Sequence, residues 1–217
     1  MRKRIIDTIK KEKLIVIVRG IEKERLIPLA KAMYDGGVRL LEVTYSANGA
    51  VSDENTAASI AALCTHFGDK MYIGAGTVLT EKQVELTKKA GGGFIISPNT
   101  KQSVIQKTRE LNMVSIPGAF SPSEIQQAHE WGADLVKLFP VTNLGVEYVK
   151  AVKAPLCHID LLAVGGIDLK NIPLYKKAGV CGFGVGSNIT DKAMIANEDW
   201  QGITELAKRY SMAVKGD

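Results

Sequence analysis

The chain has 217 residues, 46% of them apolar and 24% charged, a composition that suits a water-soluble globular protein with one well-packed domain over 1–217. A disordered chain would be poorer in apolar residues, and no apolar run is long enough to cross a bilayer. The net charge of +5 is scattered over candidate helix faces, which argues against a nucleic-acid stripe and is compatible with a small anionic ligand.

Cys64, Cys157 and Cys181 lie far apart, without the close pairs of metal or redox motifs, and read as reduced thiols. The basic start Met1-Arg2-Lys3-Arg4 runs into Asp7, Lys10, Lys11, Glu12 and Lys13, so it does not form an export segment. A cytoplasmic location with no membrane partner is expected. Residues 1–12 read as an amphipathic helix whose Ile5, Ile6 and Ile9 would cover the bottom of a barrel. After it, β-branched runs at 14–19, 39–44, 71–76, 93–97, 113–116, 135–139, 161–164 and 182–185 predict eight strands. They alternate with helical patterns at 25–35, 54–67, 81–90, 101–111, 123–131, 145–152, 169–178 and 199–214. Glycine follows several of these helices, as in Asp35-Gly36-Gly37, Trp131-Gly132 and Ala178-Gly179. Eight successive βα units without a linker predict an α/β fold, a single-domain (β/α)₈ TIM barrel with an extra N-terminal helix. A doubly wound sheet would show a glycine-rich dinucleotide loop after its first strand, and none follows Arg19-Gly20.

In such a barrel the site forms at the C-terminal strand ends. Lys137 lies inside the apolar run Leu135-Val136-Lys137-Leu138-Phe139, and alternation puts it on the face of Leu135 and Phe139. An enclosed ammonium loses hydration and its pKa falls, which makes the free amine available to attack a carbonyl; the other reading is a stem that packs while its head reaches water. Glu42 shares a face with Leu40 and Thr44, so carboxylate and amine both point inward, either as a buried ion pair or as an acid/base pair. Gly165-Gly166 and Gly186-Ser187 follow strands seven and eight, where bare backbone and the start of a short helix at Ser187 would cradle a phosphate; tight turns that require glycine are the alternative. His66, His129 and His158 fall away from the strand ends and read as surface or packing residues, so no metal site is expected.

Taken in order, Val18-Arg19-Gly20-Ile21, Leu41-Glu42-Val43-Thr44, Gly74-Ala75-Gly76-Thr77-Val78-Leu79, Ile96-Ser97-Pro98-Asn99, Ile116-Pro117-Gly118, Val136-Lys137-Leu138-Phe139-Pro140, Ala163-Val164-Gly165-Gly166 and Gly184-Val185-Gly186-Ser187 form a series of blocks. The series strongly resembles the 2-keto-3-deoxy-6-phosphogluconate (KDPG) aldolase family, which includes 4-hydroxy-2-oxoglutarate (KHG) and 2-keto-3-deoxy-6-phosphogalactonate (KDPGal) aldolases. The resemblance implies a cofactor-independent class I aldolase, a homotrimer, acting on a small keto acid. It implies Lys137 as the Schiff-base residue and Glu42 as the general acid/base. Thr77 and Pro98 would lie beside the pyruvyl portion, with Phe139 packed near it, and Gly165, Gly166, Gly186 and Ser187 would hold the phosphate. Where KDPG aldolases carry an arginine four residues after the glutamate, this chain has Ser46, while Arg19 matches the arginine of KDPGal aldolases. The substrate carboxylate is therefore expected at Arg19, whose fork suits it better than a hydroxyl. A phosphate-binding barrel isomerase or epimerase, and a ligand sensor without turnover, are the competing readings.

Overall fold

A computed structural model of the chain describes residues 1–216. Its strands are β1 (Leu14–Val18), β2 (Leu40–Thr44), β3 (Tyr72–Gly76), β4 (Phe94–Ile96), β5 (Val114–Ile116), β6 (Gly118–Ala119), β7 (Val136–Leu138), β8 (Leu161–Val164) and β9 (Gly182–Val185). The helices are α1 (Arg2–Glu12), α2 (Lys23–Asp35), α3 (Asp53–Phe67), α4 (Glu81–Lys89), α5 (Gln102–Glu110), α6 (Pro122–Glu130), α7 (Val141–Lys153), α8 (Ile172–Lys177), α9 (Lys192–Ala196) and α10 (Trp200–Lys215). All strand pairs are parallel, in the order β5-β4-β3-β2-β1-β9-β8-β7-β6.

The two ends of that order belong to one stave. β5 pairs with β4 and β6 pairs with β7, and Pro117 lies between the two halves. Proline has no N–H to donate, so the ladder is interrupted there. Its carbonyl still accepts the Lys137 amide at 2.9 Å, and Ser115 O accepts the Asp134 amide at 2.9 Å. The sheet thereby closes on itself as an eight-stave barrel, the expected fold with one stave counted twice.

Side-chain alternation separates two apolar cores. Leu41, Val43, Val136 and Leu138 face outward into the layer between barrel and helices. Leu40, Phe94, Val114, Leu135 and Leu162 face inward, where Ile5 and Ile9 of α1 join them. The N-terminal helix therefore plugs the lower mouth, with both isoleucines fully buried. Asp134 anchors this plug: its carboxylate accepts from Arg2, from Arg109 at 3.2 Å and from the Ser115 amide at 2.9 Å. One buried acid thus ties α1 and α5 to the closing stave.

Two helices depart from expectation. α7 begins at Val141 rather than 145, because a first turn forms before Gly145, whose φ of 79° and ψ of 168° kink the segment. α9 was not foreseen; at five residues it is too short to show periodicity, and its mark is the cap in which Asp191 Oδ1 accepts the Met194 amide at 2.9 Å. Removing buried methylenes from the plug leaves a void that the rigid barrel cannot collapse around. Ile5→Ala should cost about 2–4 kcal/mol and lower Tm by roughly 5–15 °C in calorimetry. The upper mouth should be little disturbed in the folded protein at 25 °C, since the plug is at the opposite end from the strand C-termini.

Candidate active site

At the upper mouth, one cavity of about 820 Å³ gathers Arg19, Glu42, Thr77, Pro98, Lys137, Phe139, Gly165, Gly166, Gly186 and Ser187. These are all ten residues expected from the sequence, drawn from seven different staves or the turns that follow them. Glu42 on β2 is 2% exposed and Lys137 on β7 is 7% exposed, so both charges sit below the rim.

Burial pushes the Glu42 carboxyl above its ordinary value, against the pull of Lys137 and Arg19. Burial likewise lowers the Lys137 ammonium from its usual 10.5; Glu42 opposes this shift and Arg19 adds to it. The amine fraction therefore exceeds that of a free lysine throughout the neutral range. No hydrogen bond joins the two groups directly, and Glu42 Oε2 is buried without a partner among the described residues. An orphaned carboxylate oxygen is costly unless something is meant to reach it.

The carboxylate owes its place to a missing atom. A Cβ on Gly76 of the neighbouring β3 would overlap Glu42 Oε1, so only glycine leaves room there. The next residue, Thr77, holds φ at 55°, a left-handed conformation that strains a β-branched residue. That backbone turns its hydroxyl to Arg19, which donates to Thr77 Oγ1 at 3.1 Å. Lys137 Nζ lies 4.6 Å from the centroid of the Phe139 ring, an apolar wall that also attracts the ammonium form.

At the far side of the cavity the chain turns through Gly165 and Gly166, at φ 97° and 74°. Their carbonyls are already engaged: Thr142 Oγ1 donates to Gly165 O at 3.0 Å and Asn171 Nδ2 donates to Gly166 O at 2.8 Å. The amides of Gly166, Gly186 and Ser187 have no acceptor among the described residues. Such free N–H groups form an anion-binding concavity. Ser187 does not open a helix as expected. It stands in a turn in which Gly186 O accepts the Ile189 and Thr190 amides at 2.9 and 3.0 Å.

Ser46 does not reach this cavity. It lines a neighbouring one of about 380 Å³ that shares Arg19, Gly20 and Ile21, and its hydroxyl donates to Asn48 Oδ1 at 2.7 Å. Reasoning from strand ends missed Glu22, Arg25, Asn188, Thr190 and Lys192, which line the outer cavity from loops and helices. The histidines are elsewhere, the His129 and His158 rings meeting edge to face at 5.3 Å. Among the described residues no group of three or more His, Cys, Asp or Glu side chains is placed to hold a metal ion.

A closed parallel barrel with an amine of lowered pKa, an unbonded carboxylate and a cradle of amides is an enzyme site equipped for covalent chemistry on an anionic carbonyl compound. Residues 5–206 match the family described as KDPG and KHG aldolase, and the chain belongs to that family. It is 32% identical to the 2-dehydro-3-deoxy-6-phosphogalactonate aldolase of Escherichia coli over 93% of this chain and 96% of that one. Its identity to the 2-dehydro-3-deoxy-phosphogluconate aldolase of Haemophilus influenzae is 29%, over 97% of each chain. A crystal structure of the KDPG aldolase of Legionella pneumophila, with pyruvate captured as a covalent carbinolamine, superposes with a TM-score of 0.82 at 29% identity, covering 94% of this chain and 96% of that one. The protein is thus a class I aldolase, a carbon–carbon lyase, which sets aside the isomerase and sensor readings.

Two buried ionisable groups that share no direct bond are costly to the fold, and well-packed neutral replacements are often neutral or stabilising by 1–4 kcal/mol. The Lys137→Met/Glu42→Gln double variant should therefore melt about 2–8 °C above the parent in calorimetry. Glu42→Gln alone should fall below the double variant, because it leaves the ammonium without its nearby countercharge.

Proposed function

We propose that this aldolase cleaves a 2-keto-3-deoxy-6-phospho sugar acid to pyruvate and glyceraldehyde 3-phosphate. 4-Hydroxy-2-oxoglutarate, cleaved to pyruvate and glyoxylate, is the unphosphorylated member of the same substrate class. The observation that carries this reading is the buried Lys137 and Glu42 facing a cavity whose other side offers free backbone amides. The names of the relatives support both the phosphorylated and the unphosphorylated substrate.

In this reading the neutral Lys137 amine adds to the C2 carbonyl, and loss of water leaves an iminium. Glu42 removes the C4 hydroxyl proton, the C3–C4 bond breaks, and its electrons flow into the iminium to give an enamine while the aldehyde departs. The proton held by Glu42 then goes to C3, and water releases pyruvate and restores the amine. Arg19, positioned by Thr77, takes the carboxylate; Phe139 and Pro98 wall the pyruvyl portion; Gly165, Gly166, Gly186 and Ser187 hold the phosphate. The chain works as one domain over 1–217 in the cytoplasm, needs no cofactor, and assembles as a homotrimer, for which sedimentation mass is the test.

Pyruvate plus borohydride should add irreversibly to Lys137, seen by peptide mass, and Lys137→Arg should abolish both trapping and turnover, because a guanidinium does not form the imine. Glu42→Gln should still be trapped while kcat falls by roughly 10²–10⁴-fold. Turnover near the parent's in Lys137→Arg would remove it as the nucleophile.

Recognition divides between the two ends of the substrate. Arg19→Ala should lower kcat/KM by about 10- to 100-fold for every substrate, since all carry the keto-acid carboxylate. Ser187→Asp sets a negative charge in the cradle and should raise KM for phosphorylated substrates far more than for 4-hydroxy-2-oxoglutarate. Equal losses on both would place the phosphate elsewhere.

A further inference from the structure

The cradle proposed for the phosphate is built from neutral donors, the amides of Gly166, Gly186 and Ser187 and the Ser187 hydroxyl. A phosphate monoester near pH 7 carries between one and two negative charges, so neutral dipoles alone leave its charge uncompensated. The outer part of the cavity has two cations, Arg25 and Lys192. Arg25 is already committed: its guanidinium is 2.9 Å from Glu22 and 3.8 Å from Glu198. Lys192, at the start of α9, makes no ion pair with any described carboxylate. Its neighbour Asp191 is occupied in capping, with Oδ1 on the Met194 amide at 2.9 Å.

The position of α9 brings this lysine to the cavity that contains the cradle. The turn from Gly186 to Thr190 folds back on itself through two hydrogen bonds to Gly186 O, and Thr190 Oγ1 adds a third at 3.1 Å. The turn is thereby compact, and Lys192, two residues beyond it, lines the same cavity as Ser187, Asn188 and Thr190. Asn188 is pinned by its own bond, Nδ2 to Ile167 O at 2.8 Å, which ties this turn to the one that follows Gly166.

We propose that Lys192 is a specificity-determining residue, the cation that lets the outer cavity prefer keto acids ending in a phosphate over shorter, unphosphorylated ones. The inference rests on the proposed placement of the phosphate at Gly165, Gly166, Gly186 and Ser187. Its side chain is exposed, so the contribution is screened by solvent and salt and is smaller than that of a buried contact. It acts on binding and not on the bond-breaking step, which the proposed mechanism assigns to Lys137 and Glu42.

The test compares the parent, Lys192→Gln, Lys192→Arg and Ser187→Asp. Each is assayed for kcat and KM on a phosphorylated substrate and on 4-hydroxy-2-oxoglutarate, at low and high ionic strength, and for inhibition by inorganic phosphate. Lys192→Gln should lower the ratio of kcat/KM for phosphorylated over unphosphorylated substrate by about 2- to 5-fold at low salt, through KM. The change should shrink at high salt, inorganic phosphate should inhibit more weakly, and Lys192→Arg should recover most of the ratio. If Ser187→Asp lowers the ratio and Lys192→Gln leaves it unchanged, the cradle stands and the role of Lys192 falls. If neither variant moves the ratio, the phosphate lies elsewhere and both readings fall together. A drop in kcat alone, equal for the two substrates, would also overturn the proposal.

Discussion

An ammonium and a carboxylate enclosed in one apolar barrel without a bond between them are the constraint that the rest of this structure serves. Taking each ion from water costs several kcal/mol even after relaxation. A direct salt bridge would recover part of that, but it would also hold both groups in their charged forms. With Lys137 and Glu42 apart, burial moves each toward neutrality, the amine downward and the carboxyl upward. In the proposed mechanism this favours the free amine of Lys137 as nucleophile and lets Glu42 hold and return a proton, so the same desolvation that burdens the fold shifts both groups. Arg19 refines the balance, since its charge favours ionised Glu42 and neutral Lys137 together.

Such an environment has to be kept dry from below and open from above. Ile5 and Ile9 close the lower mouth, in one apolar cluster with Leu40, Phe94 and Leu135, and Leu40 and Leu135 precede the two charged residues by one pleat on the same strand faces. The fit between staves is close. Phe94 lies against Gly74, where a Cβ would overlap the ring, and Glu42 uses the equivalent space over Gly76. The alternation of strand faces thus places two glycines of β3 where a large ring and a carboxylate need backbone-level room. Asp134 completes the support from outside the site, because it joins the plug helix to the stave from which Lys137 projects.

The parts legible in the sequence are those governed by the two-residue period of strands. Lys137 with Leu135 and Phe139, and Glu42 with Leu40, could be assigned to the inner face from spacing alone, and the structure puts them there or at the mouth, while Thr44, expected with them, lines the neighbouring cavity. The N-terminal plug was legible from Ile5, Ile6 and Ile9. Less legible was the stave that Pro117 divides, since a proline reads as the end of a strand and gives no sign that pairing resumes at Gly118. Asn188 and Lys192 could not be placed because loops and one-turn helices have no register that fixes where a side chain points, and Arg25 was passed over because it stands in the first turn of α2 and not at a strand end. The exchange of arginine for Ser46 was visible only against the family pattern, and geometry gives it meaning: Ser46 faces another cavity while Arg19 bonds Thr77.

The two ends of the main cavity rest on different physics, and this shapes how the site can change. The inner end depends on side chains fixed to strands, dehydrated and locked by neighbours at van der Waals contact, so that a single methyl at Gly76 would displace Glu42. The outer end consists of backbone amides in turns, whose Gly165 and Gly166 carbonyls are fixed by Thr142 and Asn171, and of exposed side chains in high-dielectric surroundings. Interactions there are weaker individually and more tolerant of substitution. A barrel organised in this way can keep its buried pair unchanged while the residues of the turns after β8 and β9 vary. The buried Lys137–Glu42 pair and the turns after β8 and β9 are therefore separable in energy as well as in space.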